Sequence, residues 1–209
     1  MRTGEADILI VPGWSSSGEE HWQTRWERRL KTARRVEQAD WLAPDKAAWI
    51  ARIRHEIAAS TRPVVIVAHS LGVIATVAAL MDDGTRTHRA SVAGAFLVAP
   101  ADADHASEWP VTEGYTLDAA QSGFSPVPCE KLPCPSVLVA SANDPYCRLD
   151  RAQAFAASWG SKLLEAGDCE HINAGSGHGP WPEGLLQLGS FLRSLGPNAA
   201  SGDVTRQNE

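Results

Sequence analysis

The sequence predicts an α/β protein, with a mostly parallel central sheet of about six strands and helices on both faces. Short apolar runs of strand length alternate along the chain with segments of helical periodicity, the pattern of successive βα units. One helical segment, Leu71 to Met81, is apolar nearly all round, and a helix of that kind must be buried on most sides. With 209 residues and 44% hydrophobic content, the chain can fill one well-buried core, whereas two domains of ordinary size would each be marginal. A single domain over residues 1–195 is therefore expected.

In order, Ile8 to Val11 reads as the first strand, and Trp22, Trp26 and Leu30 follow at i, i+4, i+8 as one face of a helix. Val36 to Ala39 is a weaker strand candidate, and Trp49, Ile53 and Ile57 repeat the helical spacing. Val64 to Ala68 is a β-branched run leading into the buried helix, which "DDG" at 82–84 ends with turn chemistry. Val92 to Val98 and Val137 to Ala140 are further strands, and Lys162 to Glu165 is a weak last one. Leu185, Leu188, Leu192 and Leu195 mark the final helix. Pro100 to Pro135 interrupts the alternation as a long proline-rich insertion, of a length that usually signals a lid or binding loop. The polar, aperiodic segment 196–209 is expected to be a disordered tail.

A net charge of −6 argues against attraction to nucleic acid or anionic membrane surfaces. No segment approaches the roughly 20 apolar residues of a membrane span, and the short apolar run near the N-terminus, preceded by acids, is unlike a secretory signal. The four cysteines, Cys129, Cys134, Cys147 and Cys169, form no C-x-x-C and have no ligand spacing, so no metal or other cofactor is expected. Reduced thiols and a cytoplasmic location are the matching expectation. The basic cluster "RWERRLKTARR" places most of its charges between the Trp22/Trp26/Leu30 positions and reads as a solvated helix face.

"VVIVAHSLGVIA" carries the chemistry. Ser70 lies in A-H-S-L-G, one step from the G-x-S-x-G elbow that presents a serine on a sharp turn between strand and helix. That turn holds the serine near positive φ and brings the flanking chain close, so small residues are wanted at both ends; here the first is Ala68. A serine at this junction could also simply cap the helix. As a nucleophile it needs a base and an orienting acid, which in such enzymes follow in the order acid, then histidine, at later strand ends. Asp144 in "SANDPY" and His171 in "AGDCEHINAGSGHG" hold those positions. His178, seven residues further on, is hardly separable from His171 by spacing, and Asp168 shares the His171 loop. His69 adjoins Ser70 and suits an orienting or packing role, while His21, His55, His88 and His105 read as ordinary surface or capping residues. An oxyanion hole needs two backbone N–H groups. Leu71, at the helix N-terminus, and Trp14, beside Gly13 in the first strand–helix loop, are the candidates.

Taken together, "VPGW", "HWQTRWE", "VAHSLG", "PCPSVLVASANDPY" and "HINAGSGHGPWPEG" resemble the small serine hydrolases of the family containing retinoblastoma-binding protein nine and the bacterial YdeN-type proteins, within the α/β-hydrolase superfamily. The resemblance spans most of residues 7–195. It implies a compact α/β-hydrolase fold without a large cap domain and a Ser-Asp-His triad on Ser70, Asp144 and His171, and it favours His171 over His178. The L-x-C-x-E peptide linked to retinoblastoma protein has no counterpart, since Leu132 to Ser136 lacks the acid; no such partner is expected.

The expected activity is hydrolysis of small carboxylic esters, with amides or short peptides as further substrates. Trp109, Tyr115 and Phe124 in the insertion are candidate pocket aromatics. The competing expectations are a non-catalytic interaction module on a hydrolase fold and an acyltransferase that uses the same triad.

Overall fold

The computed structural model describes residues 1–81, 92–110, 117–118 and 120–196. The "DDG" turn, His88, Tyr115 and the tail beyond Gly196 lie outside the described residues. Six strands form one sheet: β1 (Asp7–Val11), β2 (Ala33–Arg35), β3 (Val64–Ser70), β4 (Val92–Pro100), β5 (Ser136–Ala140) and β6 (Lys162–Glu165). Their order is β2-β1-β3-β4-β5-β6, and every neighbouring pair is parallel.

The strand period of two divides the core between two faces. Leu9, Val11, Ile66, Ala68, Leu97 and Leu138 point to one, where α2 (Lys46–Ala59), α3 (Leu71–Met81) and α4 (Leu149–Trp159) pack. Ile8, Ile10, Val65, Val67, Phe96 and Val139 point to the other, covered by α1 (Trp22–Arg29) and α5 (Pro182–Ser194). The expected stripes Trp22/Trp26 and Trp49/Ile53/Ile57 are buried. Helix α3 is buried from Leu71 through Leu80, as its all-apolar surface requires.

Strands β1, β3, β4 and β5 extend one or two residues beyond the expected apolar runs, and two features depart further from the sequence expectation. The second strand is Ala33–Arg35, not Val36 to Ala39; pairing ends where the Val36 N–H donates to the Ile10 carbonyl. As an edge strand half-covered on its faces, β2 needs no apolar run. The buried face of α5 is Gly184, Leu188, Phe191 and Leu192, and Leu185 is exposed. Gly184 takes the core position because a Cβ there would meet the Trp181 indole at 2.3 Å.

Sheet order reverses direction between β1 and β3, the point where open parallel sheets form a crevice at their strand C-termini. The loop after β1 crosses the start of α3 there, closely enough that a Cβ on Gly72 would lie 2.3 Å from the Pro12 carbonyl oxygen. A Cβ on Gly13 would lie 2.6 Å from the Ser70 Cβ. Glycine at both positions permits this approach. Among the described residues, no helix is long and apolar enough to cross a membrane.

Candidate active site

Ser70 ends β3 with φ of 56°, the left-handed backbone that the elbow demands of a residue with a side chain. Its first small position, Ala68, is buried in the sheet and pairs with Val11 and Leu97, so the methyl group is accommodated within the core. Asp144 lies in the loop after β5 and His171 in the loop after β6.

These three side chains form one hydrogen-bonded line. His171 Nε2 is 2.8 Å from Ser70 Oγ, and His171 Nδ1 is 2.9 and 3.0 Å from the two Asp144 carboxylate oxygens. Asp144 Oδ1 also accepts from the Tyr146 N–H at 2.9 Å. With Nδ1–H held by a carboxylate, Nε2 of neutral His171 is left as an acceptor facing the serine hydroxyl. The rivals stand elsewhere: His178 Nδ1 is 3.2 Å from Ser176 Oγ, and Asp168 is exposed.

The loop that carries His171 is strained and heavily tied. Glu170 and Ile172, on either side of His171, both have φ of 47°. His69 Nε2 donates to the His171 carbonyl at 2.9 Å, and Trp22 Nε1 donates to the Ile172 carbonyl at 2.8 Å. From the β5 loop, Asn143 Oδ1 accepts from the Glu170 N–H and Ser141 Oγ accepts from the Cys169 N–H. Side chains from three other segments thus hold a conformation that non-glycine residues rarely adopt alone.

Ser70 opens onto a pocket of roughly 450 Å³. Its lining includes the apolar or aromatic Trp14, Leu42, Ala101, Trp109 and Tyr146 and the polar His21 and Asn173. Tyr146 packs on the His171 ring with centroids 4.3 Å apart. Among the described lining residues there is no Asp, Glu, Lys or Arg. Both expected oxyanion donors, Trp14 and Leu71, line this pocket, and Leu71 is the first residue of α3, where backbone N–H groups lack intrahelical partners.

Of the insertion aromatics, Trp109 lines the pocket, whereas Phe124 does not. Phe124 is fully buried and packs edge-on against Trp49 of α2. The surface-histidine expectation fails at His21, which is 7% exposed and lines the pocket. Its capping role holds: Nδ1 accepts from the Gln23 N–H at the start of α1. Burial, then the neighbouring His171 and Arg35 charges, holds the His21 pKa down at about 3. Burial likewise keeps His69 well below its ordinary value. Tyr146 was not singled out from the sequence, although it directly follows the Asp-Pro of "SANDPY".

The basic cluster is also less solvated than its pattern suggests. Arg35, with its side chain 11% exposed, donates to Ser16 Oγ, the Ser17 carbonyl, Thr24 Oγ1 and Glu27, and so fastens the pocket loop to α1. All four cysteines are free, and burial pushes the Cys134 thiol up to about 11 and Cys147 higher still. Neither supplies a thiolate to compete with Ser70.

A family model for serine hydrolases matches residues 8–190. The fold is similar to that of a candidate YdeN-like hydrolase from Pectobacterium atrosepticum, at 32% identity and a TM-score of 0.76, covering 93% of this chain and 95% of that one. It is also similar to the ydeN gene product of B. subtilis, at 19% identity and a TM-score of 0.68, covering 90% and 99%. A thermophilic esterase from Thermogutta terrifontis, solved with propionate bound, shares the fold at 15% identity and a TM-score of 0.63, covering 95% and 86%. No curated protein matches the chain at a significant level.

Proposed function

The chain belongs to the serine hydrolase family, in company with YdeN-like hydrolases, and from that membership we propose that it cleaves small carboxylic esters through an acyl-enzyme on Ser70. The observation that carries the reading is the 2.8 Å approach of His171 Nε2 to Ser70 Oγ, with Asp144 closing on the far nitrogen.

Ser70 Oγ attacks the ester carbonyl carbon while His171 Nε2 takes the hydroxyl proton. Asp144 fixes the imidazole tautomer and stabilises the imidazolium that forms. The developing oxyanion is received by the backbone N–H groups of Leu71 and Trp14, with the positive end of the α3 dipole behind Leu71. As the tetrahedral adduct collapses, the C–O bond to the leaving alcohol breaks and His171 returns its proton to that oxygen. A water molecule then attacks the acyl-Ser70 carbonyl, with His171 again as base, and the carboxylic acid departs as Ser70 regains its proton. The uncharged pocket supports a neutral substrate, and its size supports a small one. Amides and short peptides are the next substrates to test.

The experiment is labelling with a fluorophosphonate probe beside turnover of short-chain esters. Wild type should label and hydrolyse, and Ser70→Ala should do neither. Equal weak labelling of the two proteins would sink the reading.

A further inference from the structure

His21 presents a hydrogen-bond donor that no step above uses. Its Nδ1 accepts the Gln23 N–H at 3.1 Å as the cap of α1, so in the neutral ring the proton must reside on Nε2. Among the described residues, Nε2–H has no hydrogen-bond partner, although the residue is more than nine-tenths buried and forms part of the pocket wall. Its ring packs edge-on against His69, with centroids 4.9 Å apart, and His69 in turn contacts His171 at 4.8 Å. The donor therefore belongs to the same cluster as the base. The donor is not one of the side-chain nitrogens shut off from solvent, so it is open to the pocket, where a ligand oxygen can replace water as its acceptor.

The geometry points to His21 as a specificity-determining residue whose Nε2–H binds a neutral oxygen acceptor on the substrate, an ether, hydroxyl or carbonyl oxygen beyond the scissile ester. This rests on the ester-hydrolase reading and narrows its substrate class. Lysine or arginine would serve an anionic group better, and neither lines the pocket among the described residues. Asn173, which also lines the pocket, accepts the Ser176 N–H on its Oδ1 at 2.9 Å. The occupant expected in a pocket so lined is an uncharged ester bearing one extra oxygen.

The test uses isosteric ester pairs that differ by one ether oxygen. For the alcohol side, 2-methoxyethyl butyrate is compared with n-butyl butyrate; for the acyl side, ethyl 3-methoxypropanoate is compared with ethyl pentanoate. Wild type should prefer the ether member of one pair by about three- to tenfold in kcat/KM, the scale of one neutral hydrogen bond. The pair that responds tells which side of the ester meets His21. His21→Phe removes the donor, and His21→Asn removes its reach while keeping a good helix cap. In both, the preference should fall to the ratio of the two esters' alkaline hydrolysis rates, against which the wild-type ratio is also read, and using the ratio within each variant cancels any general loss of activity. Wild-type ratios equal to the alkaline ones in both pairs would overturn the proposal, as would a preference that survives in His21→Asn. Hydrolysis no faster than the Ser70→Ala blank for all four esters would instead overturn the ester-hydrolase reading, and the role of His21 with it.

Discussion

His69 holds His171 by its backbone: the Nε2–H of the residue beside Ser70 donates to the His171 carbonyl at 2.9 Å. The serine and its proposed base are thus joined twice, once through the reacting side chains and once through this neighbour. Replacing His69 by Phe leaves a buried carbonyl without its donor and frees a strained loop. We expect kcat to fall by about ten- to a hundredfold, since small misplacements of a base are that costly, with KM changing by less than about threefold. His69→Gln, which can still donate, should recover part of the loss. Steady-state kinetics with a short-chain ester would check this, and an unchanged kcat in His69→Phe would show that the bond does not position the base.

The two histidines left open by spacing separate cleanly by mutation. His171→Ala should lower ester kcat/KM by a factor on the order of 10⁴ or more, because members of such a unit fail together. His178, bonded to Ser176, should tolerate Ala within about threefold. The opposite ranking would move the base.

Stability should decline on the acid side for a definite reason. His21 and His69 are held neutral in the fold, their pKa values depressed by burial. Above about pH 6.5 both states are neutral and this contribution is fully present. Below it, the unfolded chain gains protons that the folded chain refuses, down to about pH 3 for His21. Between pH 7 and 5 the loss at His21 should be about 2 kcal/mol, with His69 adding in the same direction, read from urea unfolding at the two pH values. His21→Asn should shrink the difference by about that 2 kcal/mol, and a flat profile for wild type would contradict the assignment.

The crossing of the β1 loop over α3 can be probed at its tightest point. Gly72→Ala would drive a methyl group into the Pro12 and Val11 carbonyls, which are main chain and cannot swing aside. A loss of about 3 kcal/mol is expected, with reduced ester turnover. Gly4→Ala, which has open space around it, serves as the control and should stay within about 0.5 kcal/mol. Thermal melting of the two variants decides it.

Much of this arrangement is legible in the sequence. Buried parallel strands are near-continuous apolar runs, so β3, β4 and β5 stand out. The strand–serine–helix junction predicted the left-handed backbone found at Ser70. Local pattern did not reveal what long-range packing decides. His21 is a helix cap by sequence, and only its contacts with His69 and Trp22 make it a buried pocket residue. Phe124 and Trp109 share one irregular segment, yet one fills the core and the other faces Ser70, a choice that the insertion's path makes and its composition does not. The edge strand β2 escaped because its arginines are spent on ion pairs with Glu56 and Glu27 rather than on an apolar face.

The absence of formal charge around the described pocket also bears on product release. If the substrate is the neutral ester proposed above, it would be drawn in by shape and burial rather than by long-range steering, so its capture should vary little with ionic strength. Its acid is an anion once ionised, in a protein of net charge −6 and with no lining lysine or arginine to retain it. On the proposed ester-hydrolase reading, turnover thus converts a neutral molecule into an anion for which the described lining holds no cationic side chain.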